Sequence, residues 1–350
     1  MFRLFNSLLG KFSKDLGIDL GTANTLVYVK EKGITINEPS VVAVNIRTDQ
    51  ILAVGAEASM MVGRTPAHIV ATKPLVDGVI SDFEVTEKML KYFIDKVHRE
   101  SVTLLPRPRV IIGVPLDITE VEQKAVEDAA IGAGAREVYL IEQPVAAAIG
   151  ARIPVQASEG HMVIDMGGGT TDIAVISLGG IVASKSLKIA GNELNEDIIR
   201  YVRDYFNLLI GERTAEQAKI KIGSALPLLE PLAMKLRGRD LLTGLPKEII
   251  VTDSQIRDAM SRTIYTIVDN IKTTIEHTPP ELVADIYEQG LLLTGGGALL
   301  YRFDEHIAEA TGVPVRIAED PLTCVVRGTA LLLGDFDLLK TVMIPATGHK

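Results

Sequence analysis

Two stretches of the 350-residue chain set an acid beside glycines and hydroxyls: LGIDLGTANTLVYV at 16–29 and MVIDMGGGTTDIAV at 162–175. A constant offset of 146 residues aligns Ile18 with Ile164, Asp19 with Asp165, Gly21 with Gly167, Thr25 with Thr171, Val29 with Val175 and Gly33 with Gly179. Glycine lets backbone N–H groups approach a ligand, and successive N–H groups form an anion-binding nest. Small hydroxyls add donors. An acid beside such a nest would repel a bare phosphate unless a cation lies between them. Mg²⁺ takes few carboxylates, several waters and phosphate oxygens. Asp19 and Asp165 facing a Mg–nucleotide fit that preference; the plainer reading is a pair of ordinary Gly-rich hairpins.

Each stretch reads as strand, tight glycine turn, strand, which is a β-hairpin pattern. The duplication predicts two similar lobes, each bringing one turn to a shared cleft. Around the hairpins, strands are expected at 41–44, 51–55, 109–115, 137–143 and 313–319, and within 236–252 around turns. Helical spacing runs through 86–100, 117–134, 192–209, 214–225 and 253–278, the last ended by Pro279-Pro280. PVAAAIGA starts a helix with Pro144 at its first position. A third glycine turn, GLLLTGGGALL at 290–300, lies between a strand and a helix start, where a helix N-terminus favours phosphate or ribose. A final helix is expected at 321–334, and the tail TVMIPATGHK carries no periodicity and is expected to be disordered. This alternation predicts α/β layers rather than a sandwich or bundle.

Composition excludes several classes. Apolar residues make up 47% and charged residues 23%, which suits a chain with a sizeable core. A net charge of −9 and only 5% aromatic residues argue against nucleic acid as a partner. The single Cys324 rules out an internal disulfide and fits a reducing cytoplasm. There is no CxxC, no HExxH and no GxxxxGK[ST], so neither a zinc site nor a P-loop has support. No apolar run reaches the length of a membrane span. At the N-terminus, basic residues interrupt the apolar stretch, which makes a signal peptide a poor reading. On a helix, Phe2, Leu4, Phe5, Leu8, Leu9, Phe12 and Leu16 share one face and Arg3, Lys11 and Lys14 lie opposite, with Asp15 at the apolar edge. That pattern suits a helix lying in a membrane interface or one packed on the protein's own core.

Three glycine turns in this order, with EQPVAAAIG between the first two, resemble the superfamily of actin, sugar-kinase and heat-shock-chaperone ATPases. The resemblance narrows through NEPSVVA, KPLVDGVISDFEVTEKML, GAREVYLIEQP, NLLIGERTAE, RGRDLLTGLP and AEDPLTCVVRG to the MreB family of bacterial actins, over roughly residues 1–335. It implies an actin-like α/β ATPase fold of two related lobes, each with an inner sheet domain and a smaller outer one, and a nucleotide cleft between them. The implied divisions are 1–35, 70–148 and 320–350 for the first inner domain and 36–69 for its outer domain. For the second lobe they are 149–184 with 250–319, and 185–249. It further implies ATP with Mg²⁺ held through water by Asp19 and Asp165. Gly21, Thr22, Ala23 and Asn24 match the first phosphate loop, and Gly167, Gly168, Gly169 and Thr170 the second. Gly295, Gly296, Gly297, Ala298 and Leu299 match the adenosine loop, and Glu216, Gln217, Ala218 and Lys219 the helix that flanks base and ribose.

Two positions depart from the family pattern. The family usually has an acid just before the proline of EEP or DEP, which is taken to activate the attacking water; here it is Gln143, preceded by Glu142. A carboxamide orients water but takes no proton. If 137–143 is a strand, neighbours point to opposite faces, so Glu142 does not replace Gln143. Asp172 stands where glutamate is common. The resemblance also implies slow ATP hydrolysis, paired non-polar filaments of this chain with itself, cell-wall elongation proteins as partners, and attachment to the inner face of the cytoplasmic membrane. Attachment would use the N-terminal helix and an apolar loop, Leu104-Leu105 beside Arg107 and Arg109; the plainer reading of that pair is core. A small-molecule kinase of the same fold is the competing function, and it would need an acceptor pocket with a base that the motifs do not supply. A chaperone ATPase would need a substrate-binding domain after residue 335, for which the chain is expected to be too short.

Overall fold

The structure, a computed structural model, describes residues 14–99 and 107–345. The described residues form two compact units, those within 14–157, 177–180 and 322–345 in one and 158–176 with 181–321 in the other.

The first unit opens with strands β1 (Leu16–Leu20), β2 (Asn24–Val29) and β3 (Gly33–Pro39). Next come β4 (Val42–Asn45), β5 (Gln50–Val54), β6 (Ile69–Thr72), β7 (Leu75–Val76), β8 (Val79–Ile80), β9 (Arg109–Val114) and β10 (Glu137–Glu142). The main sheet has the order β10-β9-β1-β2-β3, and a smaller sheet has the order β5-β4-β6. Leu16, Ile18 and Leu20 of β1 alternate onto one face. There they join Val27, Val29, Val110 and Ile112 and the helix Phe83–His98, which contributes Met89, Leu90, Phe93 and Ile94. That helix starts where the Asp82 carboxylate accepts the Val85 N–H at 3.0 Å. The helix Glu120–Gly132 starts with a capping box between Thr119 and Glu122. Two further helices, Gln143–Gly150 and Cys324–Leu332, cross backbone to backbone. A Cβ at Gly150 would meet the Cys324 carbonyl, and one at Gly328 the Ala146 carbonyl.

The second unit repeats the pattern with β11 (His161–Met166), β12 (Thr171–Ser177) and β13 (Gly180–Leu187), and then β14 (Leu208–Leu209), β15 (Ala233–Asp240) and β16 (Pro246–Thr252). β17 (Leu291–Thr294) and β18 (Val315–Ile317) complete its main sheet, which has the order β13-β12-β11-β17-β18. Both main sheets therefore run hairpin edge, hairpin partner, acid-bearing strand, parallel strand, parallel strand. Registers agree as well. Asp19 lies opposite Leu26 with Leu20 opposite Thr25, and Asp165 lies opposite Asp172 with Met166 opposite Thr171. The helix Asp253–Glu276 buries Ile256, Met260, Ile264, Ile267 and Ile271, spaced at three and four residues, against this sheet's core.

Several expectations are corrected. Leu16 lies in β1, paired with Val29 and Val110, so the apolar arc at the N-terminus cannot include it as a helical residue. Leu208 and Leu209 are a strand, because Asn207 takes a left-handed φ of 51° and ends the helix at Phe206. The third glycine turn runs into a short 3₁₀ turn, Gly296–Leu299, and the α-helix begins only at Phe303. Pro280 opens a helix, Pro280–Gln289, as Pro at a first turn can. The helix Phe336–Val342 follows the one expected to be final, and the Ile344 N–H then donates to the Leu140 carbonyl at 2.9 Å.

Candidate nucleotide site

Asp19 stands one residue before the end of β1, beside the turn 21–23. Its half-buried carboxyl is pushed up by desolvation to about 7, against the pull of a hydrogen bond from Gln143. That bond runs from Gln143 Nε2 to Asp19 Oδ1 at 3.2 Å. Gln143 is the first residue of a helix and not the last of a strand, with Glu142 as its N-cap and Pro144 second. The Glu142 carboxyl faces Asp117 instead, and burial and that neighbour raise its pKa.

Around the first turn, Thr22 is buried and its hydroxyl oxygen accepts the Gly78 N–H at 2.8 Å, which leaves its proton to donate. Ser40 supports the turn from behind. Its hydroxyl donates to the Gly21 carbonyl at 2.6 Å, and its N–H donates to the Ala23 carbonyl at 2.9 Å. Ala23 is half-buried and Asn24 is exposed.

In the second unit the turn 167–170 closes through Gly167 N–H to the Thr170 carbonyl at 2.9 Å. It is seated on the helix Gly191–Phe206, whose Gly191 and Asn192 N–H groups donate to the Gly167 and Gly168 carbonyls at 3.2 and 2.8 Å. Asp165 is buried, and Gly295 packs on it. With φ of +80°, a Cβ at Gly295 would meet the Met166 carbonyl and the Asp165 Oδ1. The second and third glycine turns are thus adjacent within one unit. Thr294, a residue that sequence reasoning missed, holds the third turn by donating to the Pro321 carbonyl at 3.1 Å, beside the Gly295 N–H at 3.0 Å.

On the helix Glu212–Ile222, Glu216 and Gln217 are exposed, whereas Ala218, like Ala298, is in the hydrophobic core and can offer a ligand only backbone. Lys219 reaches the second turn's support, donating from Nζ to the Gly191 carbonyl at 2.7 Å. Among the described residues no three His, Cys, Asp or Glu side chains group as ion ligands. The donors present suit a cation that completes its shell with phosphate and water, as Mg²⁺ does beside a nucleotide.

Phe2, Leu4, Phe5, Leu8, Leu9, Phe12, Leu104 and Leu105 lie outside the described residues. Their flanking residues are described and converge. The Lys14 N–H donates to His98 Nε2 at 3.3 Å, and the Arg109 N–H donates to the Asp15 carboxylate at 3.2 Å. Arg109 is turned inward to Glu137 and over the Phe336 ring, so it is not a free surface cation. Among the described residues no helix is long and apolar enough to cross a membrane.

A profile of the MreB/Mbl protein family matches residues 13–341. The chain belongs to the MreB/Mbl family. It is 52% identical over 335 residues to the cell shape-determining protein MreB of Escherichia coli K12, covering 94% of this chain and 96% of that one. It is 51% identical over 328 residues to the cell shape-determining protein Mbl of Bacillus cereus, covering 94% and 98%. Crystal structures of Spiroplasma citri MreB5 bound to ADP and to AMPPNP superpose with TM-scores of 0.88 at 38% and 39% identity, covering 94% and 93% of this chain and 98% and 97% of those. The fold is therefore actin-like.

Proposed function

We propose that the chain is an ATP-dependent, membrane-associated, actin-like filament protein that organises cell-wall synthesis and rod shape. The observation that carries the reading is the repeated hairpin: the same register sets Asp19 and Asp165 beside bare glycine turns in two separate sheets. The ADP and AMPPNP complexes of S. citri MreB5 and the cell-shape names of the relatives lend support.

Asp19 and Asp165 would hold Mg²⁺, which when bound offsets the charge of the phosphates. Gly21 to Asn24 and Gly167 to Thr170 would take the phosphates. Gly295 to Leu299, with Glu216, Gln217 and Lys219, would take adenosine. Gln143 gives one of its two amide N–H groups to Asp19, and its Oε1 is the atom that would accept from an attacking water. It positions that water without removing its proton, and turnover is expected to be slow.

Self-association into paired filaments is part of the proposal, and the filaments of related actin-like proteins lend it support. Head-to-tail contacts propagate when subunit rotation does not close a ring. The small sheets β5-β4-β6 and β14-β15-β16 are proposed as the outer domains. Membrane attachment at the inner face of the cytoplasmic membrane, beside cell-wall elongation proteins, would use residues 2–12 and Leu104-Leu105. The described residues that flank the two segments meet, Lys14 with His98 and Asp15 with Arg109, which supports one shared attachment point. The test is sedimentation and flotation with anionic liposomes, with and without Mg–ATP. ATP-dependent filaments that float with lipid are expected, and a monomer under all conditions overturns the reading.

A further inference from the structure

The equivalent glycine carbonyls of the two hairpins, Gly21 and Gly167, are both tied down, by different means. Gly167 is held by a backbone N–H, that of Gly191 at the start of a helix, at 3.2 Å. Gly21 is held by a side chain, the Ser40 hydroxyl, at 2.6 Å. Ser40 is fully buried, and its oxygen lies 2.9 Å from Thr25 Oγ1. A serine hydroxyl carries one proton. Since that proton goes to Gly21, Thr25 must donate to Ser40, and the bonds form a relay from Thr25 through Ser40 to the turn. The 146-residue offset carries Ser40 onto Ser186. Ser186 bonds a different acceptor, the Asp172 carboxylate, at 2.5 Å, and the second turn does not need it because the helix supplies its support.

A peptide unit is planar and trans, so its C=O and the next N–H point in opposite directions. Fixing the Gly21 carbonyl therefore fixes the direction of the Thr22 N–H. We propose that Ser40 is a positioning residue that aims the Thr22 N–H of the first turn at the phosphate tail of a bound nucleotide. This rests on the reading that the turn binds phosphate. Ser40 itself would touch no nucleotide. Without its hydroxyl the peptide plane of residues 21–22 is free to tilt, and the nest loses one aimed donor.

The test compares affinities for Mg–ATP and for adenosine, which lacks phosphate, in wild type, Ser40→Ala and Thr25→Val, with thermal unfolding of each apo protein. Ser40→Ala is expected to weaken ATP about tenfold while adenosine stays within about twofold. Thr25→Val breaks only the first bond of the relay and is expected to shift ATP in the same direction by about two- to threefold. It serves as the folded probe if Ser40→Ala does not fold. Equal weakening of ATP and adenosine, or no weakening of either, overturns the proposal and leaves Ser40 a packing residue. Failure of the wild type to bind ATP at all overturns the proposed function and this inference with it.

Discussion

Gln143 Nε2 donates to Asp19 Oδ1 at 3.2 Å, joining residues 124 apart in sequence and tying the water-positioning candidate to a metal-binding candidate. The pair changes what a carboxylate at 143 would do. In Gln143→Glu two carboxylates face each other, and in the absence of a cation the pair retains a proton. With saturating Mg²⁺ at pH 8, Gln143→Glu is expected to hydrolyse ATP faster than wild type. As the pH falls towards 6.5 the advantage should vanish. Gln143→Ala should be slower than wild type at both, by about a hundredfold, the lower end of general acid–base effects. Phosphate release from preformed filaments checks the order; equal rates in all three proteins would make Gln143 a bystander.

Asp165 lies under the third turn, against Gly295. Asp165→Ala is expected to abolish hydrolysis and to weaken Mg–ATP far more than adenosine. Isothermal titration separates the two effects, and wild-type turnover in this variant would refute its metal role.

Two desolvated groups, the half-buried Asp19 and the buried His98, set opposite pH limbs. Asp19 has a folded pKa raised to about 7 by desolvation, so the folded state holds its proton more tightly than the unfolded state does. Its contribution to stability is complete near pH 4 and is lost as the pH rises to 7, by up to about 1.4 kcal/mol per pH unit. Asp19→Asn should flatten that decline in the metal-free protein. His98 is shifted the other way. Burial lowers its pKa, and the ring accepts the Lys14 N–H through Nε2 while Nδ1 lies 2.8 Å from the Ile94 carbonyl. Those bonds require neutral imidazole, so its contribution is present above the usual histidine range and is lost as the pH falls through the depressed value. The stability gap between wild type and His98→Gln is expected to widen from pH 5 to pH 7 in urea unfolding.

The helix crossing at Gly150 and Gly328 has no room for a methyl group. Gly150→Ala or Gly328→Ala meets a backbone carbonyl, which cannot rotate aside as a side chain could. Each is expected to cost at least the upper end of the overpacking range, about 3 kcal/mol, with a fall in melting temperature of several degrees. A change within one degree would mean that the crossing relaxes freely.

Filaments should gain lipid affinity by multiplying weak anchors. Deleting residues 2–12 with Leu104→Ser and Leu105→Ser is expected to release filaments from anionic liposomes without stopping assembly. Continued co-flotation would place the attachment elsewhere.

Local chemistry made much of this protein legible in one dimension. A strand–glycine–strand pattern needs only neighbours in sequence, so both hairpins and the 146-residue repeat could be read directly, and the structure adds that their registers match. Caps at Thr119 and Thr252 and the periodic faces of long helices are local in the same way. Tertiary structure alone decided the partners. Nothing in the sequence around Gln143 says that its amide meets Asp19, or that Ser40 holds Gly21, because those bonds exist only once strands distant in sequence lie side by side. The same holds for Leu16: its apolar neighbours suit a helix, but burial between β2 and β9 in a parallel and antiparallel sheet makes it a strand. Periodicity reports which face is apolar, and contact with the rest of the core decides which backbone presents that face.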